Sequence, residues 1–345
     1  MATLTDVAKI AGVGIMSVSR VVNGTRKVSP ETERRVLAAI ERIGYEPNEA
    51  ARVLKGQRSR VLGLVVPDLA DPFFATCANA VQDAARRAGY LTWMAASAHR
   101  EDVERELTKE MIQRHVAGLL VIPSSLQNEH FAGAVKYGIP VVSLDRPLDR
   151  IEADALVVDN RAAAALATEH LIQHGHHSIL CITDDETIFT KTERVAGYSQ
   201  AMRSAKLPVQ VFSIGPIGGS ISDQLTLALS SAVPPTAIFA ESNLVAVQVL
   251  HELGRRSLRI PDRMALIAFD DFDAATLIRP TITVIKQPIA ELGKQAAELL
   301  CGRLDGTIQT ETSRVVLKTE LVIRESCGCS ERRARSRGRF PSSKA

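Results

Sequence analysis

The sequence predicts a small helical head joined to a two-lobed α/β body of doubly wound parallel sheets. Three observations carry that prediction. Residues 5–23, TDVAKIAGVGIMSVSRVVN, have the spacing of two short helices joined by a tight turn. From Val61 onward, short continuous apolar runs alternate with amphipathic segments of helical length. Finally, 345 residues, 46% of them hydrophobic and 23% charged, exceed one average domain and suffice for a large core.

In the head, Thr5 is placed to accept the free N–H groups that open the first helix. Ala8 and Ala11 let a second helix cross closely, Gly12 permits the backbone turn that ends the first, and Val13 fills the corner. Val18, Val21 and Val22 form the apolar stripe of the second helix, leaving Ile15, Met16, Ser17, Ser19 and Arg20 on its opposite face. This is the pattern of a helix-turn-helix, whose second helix lies in the DNA major groove with its first residues at base edges. An ordinary helical hairpin is the competing reading. Against it stands a third helix, with Ser29 as cap, Pro30 at its first position and Glu31 near the positive end of its dipole. Val36, Ile40 and Ile43 share one face of that helix, and Gly44 stops it. Charge agrees: residues 1–60 carry +5, the stretch from Arg324 another +5 and the segment between them −7, for a net +3. A basic head on an acidic body concentrates phosphate attraction at the N-terminus.

The motifs DVAKIAGV, VSRVVNG, VSPETERRVLAAIERIGY and PNEAARVLKG, in this order and spacing, resemble the lactose-repressor (LacI/GalR-type) family of bacterial transcription regulators. The resemblance implies that residues 1–57 bind double-stranded operator DNA, near-palindromic and read by a homodimer. The expected DNA contacts are Thr5, Ile15, Met16, Ser17, Ser19, Arg20, Asn23 and Leu54. Ile15 and Met16 offer no hydrogen bonds and are expected to read thymine methyls and shape. Leu54 lies in a hinge, residues 48–55, too short to be helical alone and expected to fold on meeting DNA and a partner copy. In the family, the matching Leu wedges into the minor groove; packing against the body is its competing role.

In the body, the runs VLGLVV from Val61, LLVI from Leu119, VVSL from Val141, ILCI from Ile179, AIFA from Ala237 and ALIAF from Ala265 are continuous rather than alternating. That is expected of parallel strands covered by helices on both faces. Helix-like segments lie between them at 75–88, 101–114, 161–174, 194–205, 243–254 and 289–302. Such alternation implies doubly wound sheets, its length suggests two lobes, and ligands bind such folds outside the carboxyl ends of the strands. By the resemblance, the body at 61–323 is built like the periplasmic sugar-binding proteins. Lobe one then comprises 61–159 and 290–323, lobe two 160–289, and residues 324–345 form a basic tail expected to be disordered. A periplasmic binding protein itself would need a signal peptide and has no use for residues 1–57.

Strand ends supply the ligand candidates. Asp71, Phe73 and Phe74 follow the first strand, Asp145 and Arg146 the VVSL run, Asp159 and Asn160 an LVV run, and Asp270 and Asp271 the ALIAF run. A carboxylate directly after an apolar strand is costly unless partnered. Beside an aromatic ring it suits a sugar, whose apolar face covers the ring while its hydroxyls meet charged groups; a Phe pair more commonly just caps a core. The resemblance places ligand contacts at Asp71, Phe74, Asp145, Arg146, Arg194, Asp270 and Gln287. Arg194 is expected to hold a hydroxyl pair or a carboxylate across the interlobe cleft, with Asp270 accepting hydroxyl hydrogen bonds from the other side of the bound molecule; a structural salt bridge is the alternative. Ser242-Asn243 stands where the family usually has Asn-Asp, which weakens transfer of the neutral-sugar contacts and admits an anionic ligand. The expected effector is a sugar or sugar acid controlling carbohydrate-use genes. A corepressor-dependent or global regulator answering a non-sugar metabolite is the alternative.

No stretch reaches the ~18–20 apolar residues that span a bilayer, and no signal sequence is present, so a cytoplasmic protein without membrane contact is expected. A GxGxxG after a strand, a Walker loop and a GxSxG elbow are all missing, so neither an enzyme nor a cofactor is expected. Cys77, Cys181 and Cys301 read as buried. Cys327 and Cys329 have no His or further Cys at metal-ligand spacing. His174, His176 and His177 sit beside Gly175 at a helix–strand junction, where capping is the expected role, so no metal is expected.

Overall fold

The computed structural model describes residues 2–23, 28–45, 59–125, 128–148, 150–184, 187–215 and 221–329. They divide into one unit ending at Ser59 and a second beginning at Arg60.

The first unit contains helices α1 (Leu4–Ala11), α2 (Ile15–Asn23) and α3 (Pro30–Ile43). Thr3, not Thr5, caps α1: its hydroxyl accepts from the Asp6 N–H at 3.3 Å while the Asp6 carboxylate accepts from the Thr3 N–H at 3.0 Å. This reciprocal box needs an acid three residues after the cap, which Thr3 has and Thr5 lacks. Thr5 therefore sits exposed within the first turn. Gly12 ends α1 at φ 63, and the Arg35 guanidinium on α3 donates to its carbonyl at 3.0 Å. Ser29 and Pro30 open α3 and Gly44 closes it, as the sequence indicates. Val7, Ala8, Ala11, Val18, Val36 and Ala39 form the core, with Val13, Val21, Val22, Ile40 and Ile43 packed on it. The hinge, with Leu54, lies outside the described residues.

The second unit holds two six-stranded sheets. In the first, β1 (Val61–Val66), β2 (Leu91–Ala96), β3 (Gly118–Val121), β4 (Val141–Leu144), β5 (Asp154–Val158) and β11 (Arg314–Leu317) run parallel in the order β11-β5-β4-β3-β1-β2. The second sheet contains β6 (Ile179–Thr183), β7 (Gln210–Ser213), β8 (Ala237–Ala240), β9 (Ala265–Phe269), β10 (Thr283–Lys286) and β12 (Glu320–Val322). Its order is β12-β10-β9-β8-β6-β7, with only β12 antiparallel.

Helices cover both faces of each sheet, which is why the central strands read as unbroken apolar runs. Helices α4 (Pro72–Arg87) and α12 (Ile289–Asp305) cover one face of the first sheet. On its other face lie α5 (Glu101–Gln113) and the short α6 (Ala132–Lys136). In the second lobe α7 (Asn160–Gln173) and α8 (Phe189–Ser204) pack on one face. The opposite face carries α9 (Ser222–Leu229), α10 (Asn243–Arg255) and the one-turn α11 (Ala274–Leu277). One glycine in each lobe permits a close helix crossing. A Cβ on Gly197 of α8 would lie 2.1 Å from the Arg161 carbonyl oxygen, and one on Gly293 of α12 would lie 2.5 Å from that of Cys77.

The chain passes between the sheets after β5, after β10 and after β11. The last passage moves a boundary: the sequence places 290–323 as a block in lobe one, yet β12 belongs to the second sheet. A three-residue antiparallel edge strand is too short to show a period. The expected disordered tail is also packed over 324–329. Arg324 grips Asp271 with two hydrogen bonds of 2.8 and 2.7 Å, and the Ser326 hydroxyl donates to the Leu266 carbonyl at 2.6 Å. Residues 330–345 lie outside the described residues.

The crossing of α7 and α8 gives a stability test. Gly197→Ala forces backbone against Cβ and should cost about 2–3 kcal/mol. Gly254→Ala, at an exposed position of α10 with open space at the Cβ position, should be neutral or stabilising by up to ~1 kcal/mol. Urea titrations of the two variants check the contrast.

Candidate functional site: the interlobe cleft and the exposed head helix

Between the two sheets, outside the carboxyl ends of their strands, lies a narrow cleft with an accessible volume of about 50 Å³. Asp71, Phe73, Phe74, Asp145, Arg146, Arg194, Ser242, Asn243, Asp270 and Gln287 all line it. Asn160 does not; it opens α7 and accepts a hydrogen bond from Arg194 Nε at 2.8 Å.

Helix starts and strand ends build the walls. Asp71 caps α4, accepting from the Phe73 N–H at 2.9 Å, and Ser242 caps α10, accepting from the Val245 N–H at 3.3 Å. The Asn243 amide donates across the cleft to Asp71 at 3.3 Å, joining the two lobes. Asp145 and Asp270 hold matching positions just past β4 and β9, with φ of 63 and 72. That left-handed conformation costs an L-residue roughly 1–2 kcal/mol, and the turn it makes leaves each carboxylate on the cleft wall. Phe73 and Phe74 meet edge to face at 5.2 Å, and the Arg146 guanidinium stands 5.9 Å from the Phe74 ring.

Every cation on the wall is already paired. Arg146 lies 3.4 Å from Asp145 and donates to the Pro123 carbonyl at 2.7 Å. Lys191 of α8 is hydrogen-bonded to Asp184. Arg194 donates to the Glu241 carbonyl at 2.8 Å, sits 3.7 Å from Asp270 and 3.9 Å from the Glu241 carboxylate, and rests 3.7 Å over the Phe269 ring. Gln287 donates to the Asp270 carboxylate. Arg194 and Asp270 thus lie side by side on the second lobe, 3.7 Å apart, rather than on opposite sides of a bound molecule as expected. Their elements converge because β9 lies only two strands from β6, the strand that leads into α8.

Sequence reasoning missed His99, Asp184, Thr190, Lys191 and Leu244 on the wall and Glu241 behind it. Two signals were available. Asp184 and Glu241 directly follow β6 and β8, the same placement that singled out Asp145 and Asp270. Lys191 precedes Arg194 by three residues and so shares its helix face.

Burial dominates the electrostatics. It raises the carboxyls of Asp145 and Asp270 and depresses Arg146, in each case against the pull of the partner charge. Burial also lowers His99, with the Arg146 charge adding to the effect. Glu241, fully buried, is pushed up to about 7 by desolvation, opposed chiefly by Lys191. Asp145 Oδ1, Arg146 Nε, Gln287 Oε1 and both Glu241 carboxylate oxygens have no hydrogen-bond partner.

On the head, Ile15 and Met16 at the start of α2 are 49% and 69% exposed, while Ser17, Ser19 and Arg20 are half-buried. Asn23 is the last residue of that helix.

Residues 3–48 match the model described as bacterial regulatory proteins, lacI family, and residues 168–327 match a periplasmic binding protein-like domain. The regulator GalR of Salmonella typhimurium is 33% identical over 94% of this chain and 96% of its own length. The chain belongs to the lacI family. The ribose operon repressor of Bacillus subtilis, another relative, is 32% identical over 91% of this chain and 95% of its own. A solved structure of the transcriptional regulator CelR in complex with cellobiose aligns with a TM-score of 0.71 at 30% identity, covering 94% of this chain and all of that one. Like its lacI-family relatives, the chain is a DNA-binding transcription regulator, and those relatives are named as regulators, not as enzymes. No helix among the described residues is long and apolar enough to cross a membrane.

The raised Glu241 carboxyl makes stability depend on pH. Between the ordinary value of 4.5 and about 7 the folded chain keeps a proton that the unfolded chain has released. Its contribution is therefore fully present below 4.5, is lost as pH rises through that window, and stays lost above about 7. Glu241→Gln carries no charge at any pH and escapes this loss. Urea titrations should show the variant gaining on the wild type from pH 4.5 to 7.

Proposed function

We propose that this lacI-family regulator is a homodimeric, cytoplasmic repressor of carbohydrate-use genes whose effector is a neutral polyhydroxy compound, a sugar rather than a sugar acid, bound in the interlobe cleft. The pairing of the cleft cations carries this reading. Arg146, Lys191 and Arg194 each already have a carboxylate partner, so an anionic effector would have to break an existing buried pair, which is costly. A hydroxyl donates and accepts at once. It therefore suits a wall on which Asp145 Oδ1 and Gln287 Oε1 are acceptors with no hydrogen-bond donor. Phe74 supplies the apolar surface on which a sugar ring rests.

The departure at Ser242-Asn243 fits the same reading without an anion, because Ser242 serves as a helix cap and Asn243 as the bridge to Asp71. The cellobiose in the CelR complex and the name of the ribose operon repressor support a sugar as effector.

Calorimetry against neutral mono- and disaccharides, uronic acids, sugar phosphates and purines tests the proposal. A neutral sugar should bind, and Asp145→Asn should weaken it. A charge-assisted hydrogen bond is worth ~1.5–3 kcal/mol, so the dissociation constant should rise roughly ten- to a hundredfold. Binding of the anions alone would overturn the reading.

The operator is the second arm. Thr5, Ile15, Met16, Ser17, Ser19, Arg20, Asn23 and Leu54 are proposed to contact it, with Ile15 and Met16 meeting thymine methyls. In a selection from random operators, Met16→Ala should change the preferred sequence. Arg20→Ala, if Arg20 meets phosphate, should weaken all sequences alike and reduce the salt dependence of binding. An unchanged preference in Met16→Ala counts against this placement.

A further inference from the structure

The segment after β12 brings two thiols against two histidines, a cluster the cleft does not use. Cys327 and Cys329 are buried among residues of α7 and the second sheet, and the turn at Gly328, φ 73, puts their sulfurs 2.9 Å apart. His170 Nε2 lies 2.8 Å from Cys329 Sγ. His174, one helical turn further on, stacks on His170 with ring centroids 4.4 Å apart. One ring nitrogen from each histidine and the Cys329 sulfur all fall within 4.8 Å of one another. We propose that His170, His174, Cys327 and Cys329 form a binding site for zinc.

Spacing, geometry and donor chemistry agree. Histidines four apart on a helix share a face, and the two cysteines approach that face from the far end of the body chain. Ligand atoms around a tetrahedral zinc stand about 3.3–3.8 Å apart, given Zn–S near 2.3 Å and Zn–N near 2.0 Å. Among His170, His174 and Cys329 the observed spacings, from 2.8 to within 4.8 Å, bracket that range, and Cys327, its sulfur 2.9 Å from that of Cys329, is the fourth ligand brought in by a side-chain shift. Thiolate and imidazole donors select zinc over magnesium or calcium, which take oxygen, and the cluster contains no carboxylate.

The second observation is a tautomer already set. His174 Nδ1 donates to the His170 carbonyl at 2.7 Å. That leaves the lone pair on Nε2 and supplies the outer hydrogen bond that metal-bound imidazoles usually make. On binding, the two S–H protons pass to solvent as two Zn–S bonds form, and the neutral imidazoles contribute lone pairs. The metal ties residues 324–329 to α7, the helix whose first residue, Asn160, receives Arg194. Sequence spacing concealed the site because His170 and Cys329 are 159 residues apart.

The untagged full-length chain, reduced with a phosphine and stripped by a chelator, is titrated with Zn(II) against a chromophoric competitor, and with Co(II) as a spectroscopic stand-in. The expected result is one equivalent bound with release of protons and a higher melting temperature. Cobalt should show a thiolate charge-transfer band and the intense visible bands of a tetrahedral centre. His174→Ala and Cys329→Ser should each lower affinity more than about hundredfold, since loss of an outer partner alone costs ten- to a hundredfold. His177→Ala, outside the cluster, should leave it unchanged. Should Cys329→Ser misfold by circular dichroism, His174→Ala at the helix end decides. The proposal is overturned by a reduced chain that takes up no zinc, leaving the thiols as a redox pair, by an octahedral cobalt spectrum, or by variants that bind as the wild type does.

Discussion

One buried cation, the Arg194 guanidinium, donates to Asn160 at the start of α7 and to the Glu241 carbonyl just past β8, and rests on the Phe269 ring at the end of β9. Taking such a charge out of water costs several kcal/mol. It stands here because Asp270 and Glu241 lie 3.7 and 3.9 Å away and the ring adds a cation–π contact. The dependence is mutual. Asp184, Glu241 and Asp270 crowd the ends of three strands, and without Lys191 and Arg194 they would be like charges in a dry place. Glu241, whose oxygens have no hydrogen-bond donor, answers with a raised proton affinity. The second lobe's half of the cleft is therefore a charge balance that orients its polar groups before any effector arrives.

Much of this was legible in the sequence, and the reasons are physical. A parallel strand buried on both faces must be continuously apolar, so the carboxylates that follow β4 and β9 stood out as charges with no business in a core. The same rule applied to Asp184 and Glu241, which went unread because their neighbours resembled ordinary loop and helix starts. What the rule does not tell is which strand-end acids face the cleft. Asp145 and Asp270 do; Asp159 instead accepts from the Thr319 N–H and hydroxyl at 3.0 and 2.9 Å, and Asp271 holds Arg324. Nor does sequence order reveal which lobe a residue joins when the chain crosses repeatedly. That is why 290–323 is expected as one block in lobe one although β12 joins the second sheet.

The head shows what packing alone leaves unexplained. Val18 is wholly buried and Val21 and Val22 pack on the core, so α2 already has the apolar face its fold requires. Ile15 and Met16 add large apolar side chains on the exposed side, where folding gains nothing from them. Single exposed apolar residues are common. Two together at the first turn of a recognition helix are where base edges with methyl groups would cover them. The Thr3–Asp6 box and the Arg35 hold on Gly12 fix the angle at which that turn is presented.

The passages between the lobes decide how a small molecule influences the whole body. Asp159 on the first passage accepts two hydrogen bonds from Thr319 on the third, which ties those two passages to each other. Gln287, on the middle passage, touches Asp270 and lines the cleft itself. A ligand shifts a conformational equilibrium only through its differential affinity for the two arrangements. Contacts a ligand made within one lobe, such as around Arg194 and Asp270, would add affinity to both arrangements alike. Contacts that spanned lobes or passages, to Asp71 and Phe74 on one side and Gln287 on the other, would be the ones to differ between two lobe arrangements. Tight binding and strong regulation would then be carried by different residues. Coupling between effector and operator of the usual 1–3 kcal/mol needs only one or two hydrogen bonds made in one lobe arrangement and not in the other.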